Sequence, residues 1–187
     1  MNHDGTPKVP PITAEAATDD QRAAMEPLGP MGELNIFRTL AIHPKLLRSW
    51  LPFGGRLLQG SSLSPRHREL VILRTAGHCG SAYEWGQHVG IGRDAGLTDE
   101  EIVACAGPLA GGWSDEDRAV LQGTDELLSN HRIADGTWDA LVAAGWSDAQ
   151  LVELTMLAGH YAMLAGMLNS IGVETEIPLP AIGSAGT

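Results

Sequence analysis

The hydrophobic and polar positions along the chain repeat with the period of α-helices. The longest apolar stripe lies near the C-terminus, where leucines recur every three or four positions from about Ala149 to Ile171. No segment shows a convincing alternation of period two, and no Asn-Gly hairpin is present in the sequence. The pattern therefore predicts an all-α, single-domain fold of about eight helices.

Capping residues predict two consecutive helices in the middle of the chain. Ser64–Pro65 combines an N-cap serine with a proline in the first turn, and the helix it starts is expected to end near Gly80. The next helix is expected to run from about Ser81 to Ala95, with Gly96 as its C-cap. These two helices carry most of the chemically interesting side chains.

Proline and glycine predict the boundaries of the remaining segments. Residues 1–12 are expected to form an extended arm, disordered or draped over a neighbouring subunit, and residues 13–175 the helical domain. Thr13 is expected to cap a first helix that ends near Gly29–Pro30. Pro52 with its glycine neighbours predicts a break or kink. The tail, residues 176–187, is expected to be extended and mobile.

Composition and charge limit the classes of function. The chain has 187 residues, 43% of them hydrophobic, which is enough for one domain with a real core. Its net charge of −11 argues against binding to nucleic acids or to anionic membrane surfaces. We see no signal peptide and no apolar run of the roughly 18 residues that a membrane span needs. A cytoplasmic protein with reduced thiols is expected.

The strongest candidate chemistry lies between residues 64 and 96. Ser81, Glu84 and His88 are spaced so that a helix presents them on one face, and Glu69 lies on the preceding helix. A carboxylate next to an imidazole is suited to general acid/base catalysis or to metal binding. At this spacing Glu84 is expected to orient His88. The alternatives are a solvated surface pair for Glu84 and His88, and a helix-dipole contact for Glu69.

Several other side chains are candidates for a pocket wall. Trp50, beside the predicted kink, indicates either a pocket wall or ordinary core packing. His160 lies on the most apolar helix, where a histidine is more often part of the core than a catalyst. Cys79 is placed at a helix end where a thiolate could be stabilised, but it has no neighbouring second cysteine. Although the chain has seven histidines, no HExxH or EF-hand motif is present.

One stretch resembles a known family: RELVILRTAGHCGSAYEWGQHVGIGRDAGLTDEEI. It is similar to the carboxymuconolactone decarboxylase superfamily, which includes the alkylhydroperoxidase D-like proteins. The family motif is a glutamate, eleven residues, then Cys-x-x-Cys-x-x-x-His. Here Glu69 and His88 stand at the glutamate and histidine positions, whereas Ser81 and Glu84 replace the two cysteines. The YEW-x-x-H form is similar to a cysteine-less branch, and the resemblance covers roughly residues 30–175.

The resemblance implies an all-α fold that assembles into homo-oligomers, trimers or hexamers, and it implies a proton relay through Glu69 and His88. The function expected is a lyase-like or decarboxylase-like enzyme without a cofactor. It would decarboxylate, isomerise or eliminate from a small molecule, with catalytic residues Glu69, Glu84 and His88. The residues expected to bind the substrate are Ser81, Tyr83, Trp50 and His160.

Two alternatives to that enzyme stay open at this stage. The first is a thiol peroxidase of the peroxiredoxin-like kind, which the family suggests and which would need Cys79 as the reactive thiol. The second is a non-catalytic protein, or a metal-binding protein with Glu69, Glu84 and His88 as ligands.

Overall fold

The computed structural model describes residues 6–176 and 178–186, and it confirms the all-α prediction. Nine α-helices and one 3₁₀ segment make up the described part, which contains no strand. The elements are α1 (Asp19–Met25), the 3₁₀ segment (Glu26–Glu33), α2 (Asn35–Leu40), α3 (Pro44–Gln59), α4 (Pro65–Cys79), α5 (Ala82–Asp94), α6 (Asp99–Cys105), α7 (Asp115–Asn130), α8 (Asp135–Ala143) and α9 (Asp148–Ile171).

Helix α4 lies at the centre of the domain and packs against α5, α7 and α9. Every residue from Glu69 to Ala76 is buried, so this helix has no solvent-facing side along two turns. Its buried polar members have partners in the protein. Arg74, for example, binds the Asp125 carboxylate and also donates to the carbonyl oxygen of Cys105 at 3.0 Å. The glutamate on this helix is therefore held by a rigid scaffold.

The turn between α4 and α5 follows the sequence prediction closely. Ser64 accepts a hydrogen bond from the backbone N–H of His67, which caps the start of α4. Gly80 ends the helix in the left-handed region, at φ 63°, where a side chain would be strained. The chain then re-enters a helix within two residues, which brings the buried faces of α4 and α5 together.

Two predictions about helix boundaries were wrong. Helix α1 begins at Asp19, not after Thr13, because Thr18 and Gln21 form a reciprocal capping box that satisfies the first free N–H groups. Helix α3 runs uninterrupted through Pro52, where a break or kink was expected. Proline at that position removes a single backbone hydrogen bond, and the rest of the helix still packs its apolar side inward.

Both terminal segments lie against the helical domain. Residues 1–5 of the predicted arm lie outside the described residues, but Lys8 donates a backbone hydrogen bond of 2.7 Å to Ile171 at the end of α9. The described part of the tail contains no helix or strand and makes contacts with the helices. The indole N–H of Trp85 donates to the Ser184 carbonyl at 3.0 Å, and Ala185 is buried in the main core.

Helix α9 is long and apolar enough, by length and composition alone, to cross a membrane. Half of its most apolar window is buried inside the domain, where residues such as Leu154 and Leu157 pack in the main core. A buried core helix passes the same test of hydropathy, and this helix has the packing of one.

Candidate functional site

Glu69 and His88 meet where α4 and α5 pack together. The Nδ1 atom of His88 lies 2.7 Å from Oε2 of Glu69, and both side chains are buried. The Arg68 guanidinium donates from Nε to the other carboxylate oxygen of Glu69 at 2.9 Å. Because that oxygen accepts from a permanently charged group, we assign Glu69 as the acceptor and His88 Nδ1 as the donor in their hydrogen bond.

A tyrosine from α9 completes this arrangement on the other side of the imidazole. The hydroxyl of Tyr161 lies 3.2 Å from Nε2 of His88, and the two rings meet edge to face. With Nδ1 protonated, Nε2 accepts the hydrogen bond from the tyrosine. Burial, together with the Glu69 and Glu84 carboxylates, raises the pKa of Tyr161, so the hydroxyl is a hydrogen-bond donor at neutral pH. The three residues form a continuous polar chain.

The structure contradicts the role predicted for Glu84. This side chain is one helical turn from His88 but does not orient it, because both carboxylate oxygens of Glu84 lack a hydrogen-bond partner among the residues that the structure describes. Only 3% of the residue is exposed. Burial raises the pKa of Glu84 to about 8, and the neighbouring Ser81 hydroxyl opposes this rise to a smaller extent. Glu69 on α4 orients the imidazole of His88 instead.

A cavity of about 520 Å³ opens beside this chain of residues. His88, Tyr161 and Glu84 line it, so two of the three residues of the predicted acid/base face share one space with the tyrosine. Glu69 does not line the cavity and reaches it only through His88. The volume is ample for a small organic molecule.

Aromatic rings form the wall of the cavity that faces α3. Trp50 and His160, both expected to bind substrate, line the cavity and stack on each other, with ring centroids 5.7 Å apart. Phe53 meets the His160 ring edge-on at 5.1 Å. Burial lowers the pKa of His160 to about 4, which leaves the imidazole uncharged at neutral pH. Its Nδ1 atom has no hydrogen-bond partner among the described residues.

Ser81 and Tyr83 occupy positions different from those expected. Ser81 is the fully buried N-cap residue of α5, does not line the cavity, and therefore does not contact a ligand there. Tyr83 lines the cavity, but its hydroxyl already donates to the Glu176 carboxylate at 2.8 Å and accepts from the Ile36 N–H. The ring of Tyr83, not its hydroxyl, is thus available to a ligand.

The two cysteines lie away from the cavity. Cys79 is partly buried, and burial together with the nearby Glu84 carboxylate raises the pKa of its thiol. Cys105 is buried in the core, where desolvation raises its pKa to about 12. Neither residue lines the cavity, and both thiols are free. Among the described residues, no group of three or more His, Cys, Asp or Glu is arranged to hold a metal ion.

Tyr161 and Arg68 belong to the site but were not predicted from the sequence. Tyr161 fits the apolar stripe of α9 and is 73 positions away from His88, so no local spacing connects the two. The rarity of tyrosine could have indicated a role for Tyr161, because the chain has only two tyrosines. The hydroxyl of a buried tyrosine usually has a hydrogen-bond partner. Arg68 directly precedes Glu69 but looked like one of several charges in the first turns of α4.

Solved structures with the same fold come from several bacteria. A peroxidase-related protein from Ralstonia eutropha JMP134, described as an alkylhydroperoxidase AhpD core, has a TM-score of 0.78 at 20% identity over 91% of this chain and 92% of its own. A peroxidase-related protein from Silicibacter sp. TM1040 has a TM-score of 0.72 at 16% identity, over 91% and 94%. A putative antioxidant defence protein AhpD from Agrobacterium tumefaciens has a TM-score of 0.66 at 20% identity, over 74% and 96%.

The sequence itself matches one family model. Residues 44–122 match the model of the carboxymuconolactone decarboxylase family, and this range contains α3, α4 and α5 with Glu69, Glu84 and His88. The curated proteins contain no match to the chain. Residues 44–122 of this chain are therefore similar to the carboxymuconolactone decarboxylase family, and the chain shares its fold with solved proteins described as AhpD-like.

Proposed function

We propose that this protein is a small-molecule enzyme in which His88 moves a proton to or from a substrate bound in the cavity. The observation that carries the proposal is the chain from Glu69 through His88 to Tyr161, with contacts of 2.7 and 3.2 Å, ending at a cavity of about 520 Å³. A buried imidazole fixed by a carboxylate at one nitrogen presents its other nitrogen as a general base.

The other members of this chain of residues would tune the imidazole. Glu69 holds the His88 tautomer and stabilises the imidazolium that forms when Nε2 takes a proton. Arg68 neutralises the glutamate and keeps it in place. Tyr161 positions Nε2 through its one O–H before proton transfer, and that O–H becomes free to donate to an oxygen that gains negative charge once Nε2 has taken a proton. Decarboxylation, isomerisation and elimination all need such a proton transfer, and none of them needs the cysteine pair of the family motif.

A thiol peroxidase remains the second candidate, because two of the structural neighbours are described as peroxidase-related. The positions of the cysteines favour it less. Cys79 does not line the cavity, and burial and the nearby Glu84 both disfavour its reactive thiolate form. A peroxide-consumption assay on the wild type and Cys79→Ser decides between the two candidates. Consumption that disappears in the variant would support the peroxidase.

A homo-oligomer and a cytoplasmic location remain predictions that accompany the proposed function. An exposed uncharged stripe on α9 supports self-association, since its apolar and small residues are open to solvent in the described part of the chain. Its members are Val152, Met156, Gly159, Met163 and Gly166. Small residues allow a second helix to approach closely, and the apolar ones gain from being covered. The predicted partners are thus a small-molecule substrate and further copies of the chain.

The proposed function can be tested without knowing the natural substrate. Lactones, 3-oxo acids and simple ketones are incubated with the enzyme in D₂O and followed by proton NMR, which detects exchange of protons next to a carbonyl, double-bond shifts and loss of CO₂. We expect His88→Gln to lower any observed rate about 100-fold or more while the protein stays folded. His131→Asn is the matched control, because His131 is an exposed helix cap at φ 57°, a conformation that asparagine tolerates. Equal rates in wild type and His88→Gln would refute the proposal.

A further inference from the structure

The wall of the cavity is mainly apolar, and its described part contains neither lysine nor arginine. Helices α2 and α3, the 3₁₀ segment, and parts of α5 and α9 supply the apolar side chains. They include Leu28, Met31, Phe37, Leu51, Leu58 and Leu164. A ligand in this space is therefore surrounded largely by hydrocarbon and aromatic surface.

The two imidazoles in the wall do not supply a free positive charge. His160 is uncharged at neutral pH, since burial lowers its pKa to about 4. His88 is bound to Glu69, and the Arg68 guanidinium behind them is bound to the same carboxylate. A ligand carboxylate that entered the cavity would lose its hydration shell and would find no cation to pair with. Moving an unpaired ion from water into protein costs several kcal/mol of free energy. The cavity therefore disfavours anions.

Glu84 adds a polar group of an unusual kind to this wall. It lines the cavity, is only 3% exposed, and neither of its carboxyl oxygens has a partner in the described structure. Burial raises its pKa to about 8, so at neutral pH it is mostly a carboxylic acid with an O–H to donate. A buried donor without a partner costs free energy until a ligand accepts its hydrogen bond.

We propose that the cavity takes an uncharged, largely apolar carbonyl compound whose carbonyl oxygen accepts a hydrogen bond from the Glu84 carboxyl group. This inference rests on the proton-transfer function proposed above and specifies the substrate class for that site. An apolar ligand body matches the wall, and the carbonyl oxygen satisfies the one acidic donor in it. A carboxylate beside the carbonyl would be rejected, which separates this substrate class from keto acids and acidic lactones.

The same placement defines the proton transfer at the site. The C–H bond next to the carbonyl breaks, its proton goes to Nε2 of His88, and its electron pair becomes the C=C bond of an enolate. The carbonyl π electrons move to the oxygen, where Glu84 donates its hydrogen bond to the developing charge. Return of the proton from Nε2 to a carbon restores the carbonyl compound. Isomerisation or elimination on a neutral substrate follows from this step, whereas decarboxylation would require the disfavoured anion.

The pH dependence of binding follows from the groups around Glu84. Cys79 at the end of α4 and Tyr161 on α9 lie close enough to interact with its charge, and His88 and His160 line the same cavity. None of these is a permanent cation that would hold Glu84 ionised. The donor is therefore lost only when Glu84 itself releases its proton near pH 8.

Two ligands of matched shape test the substrate class. The probes are 2-octanone and 2-oxooctanoate, which differ in carrying a methyl group or a carboxylate on the same carbonyl carbon. Dissociation constants are measured by ligand-observed NMR at pH 7. We expect 2-octanone to bind about 100-fold more tightly or better, because only the keto acid brings an unpaired charge into the cavity. Equal or tighter binding of 2-oxooctanoate, or no binding of 2-octanone at millimolar concentration, would overturn the proposal.

Variants of Glu84 test the hydrogen bond itself. In the wild type the affinity for 2-octanone should fall above pH 8 by about tenfold in total, as the donor is lost, and then level off. Glu84→Gln retains an N–H donor, so it should bind 2-octanone with no such pH dependence. Glu84→Leu fills the site without a donor and should bind about 10-fold more weakly at pH 7. Wild-type affinity in Glu84→Leu, or the same pH profile in Glu84→Gln, would contradict the assigned donor.

Exchange at the carbon next to the carbonyl separates the two proposals. The two probes are incubated in D₂O with the wild type and with His88→Gln. Selective binding of 2-octanone without exchange above the rate of His88→Gln would leave the ligand class in place and refute the acid/base function. Exchange that depends on His88 but occurs only with 2-oxooctanoate would support the function and refute the ligand class.

Discussion

The imidazole of His88 is oriented by Glu69, a residue of the preceding helix, through a hydrogen bond of 2.7 Å between Nδ1 and Oε2. The carboxylate one turn away on its own helix, Glu84, makes no hydrogen bond within 3.5 Å to the described residues. Two glutamates near one histidine thus have separate environments. Glu69 accepts hydrogen bonds from Arg68 and His88, whereas Glu84 is buried with only the Ser81 hydroxyl near enough to oppose the rise in its pKa.

Glu69→Gln should abolish most of the activity. The amide keeps the shape of the side chain but removes the charge that stabilises the imidazolium, and we expect a loss of about 10²- to 10⁴-fold. Because Arg68 then lies beside a neutral group, the midpoint of thermal unfolding should also fall. Exchange in D₂O and thermal unfolding by circular dichroism measure the two effects.

The matched control for that variant is Glu33→Gln. Glu33 forms an exposed ion pair with Arg38, with 73% of its side chain accessible, and such pairs contribute little to stability. Both activity and thermal midpoint should stay close to the wild type in this control. If Glu69→Gln were as active as Glu33→Gln, the assigned relay would be wrong.

Titration of Glu84 should make folding stability depend on pH. The folded protein keeps this proton up to about pH 8, whereas the unfolded chain releases it near the ordinary value of 4.5. The folded state therefore binds more protons between these values, so its stability falls as pH rises from about 4.5 to about 8 and is level above that. The slope contributed by one such group approaches 1.4 kcal/mol per pH unit.

Chemical denaturation of the wild type and Glu84→Gln between pH 5 and pH 9 measures this contribution. The variant cannot ionise at this position, so its stability should change less with pH, and it should exceed the wild type most clearly at pH 8 and above. Parallel pH curves for the two proteins would show that Glu84 has an ordinary pKa in the folded state.

Much of the fold, and half of the site, could be predicted from sequence because it depends on local rules. Caps such as Ser64 and the left-handed Gly80 act within one or two turns, and they placed α4 and α5 well. The partner predicted for His88 was Glu84 and the observed partner is Glu69, since side-chain spacing on one helix says nothing about the helix packed against it. Tyr161 could not be assigned for the same reason, because its contact with His88 exists only after α5 and α9 have both packed on α4.

The close packing of the tail on α5 predicts a specific effect of Gly86→Ala. A Cβ atom at Gly86 would lie 2.6 Å from the Cβ atom of Leu179, a distance that forces one of them to move. We expect the tail to loosen, so proteinase K should trim the C-terminus faster, as followed by intact mass.

Gly90→Ala is the matched control on the same helix, because nothing lies within 4 Å of a Cβ there. Its alanine should raise stability by about 0.5–1 kcal/mol. Equal trimming in both variants would show that the tail does not depend on this contact.

The exposed stripe of α9 predicts how the chain associates with itself. Met156 and Met163 are 47% and 56% exposed and lie on the same side of the helix, away from the core. If this stripe is covered by another copy, Met163→Glu buries an unpaired charge in the interface and should lower the mass measured by light scattering after gel filtration. Val142→Glu changes an equally exposed apolar residue, 50% accessible, on a different helix and should leave the mass unchanged. A wild-type mass equal to the 19.8 kDa of one chain would refute the oligomer. Loss of mass in Val142→Glu alone would place the contact on α8, because a charge disrupts only the apolar surface that the partner covers.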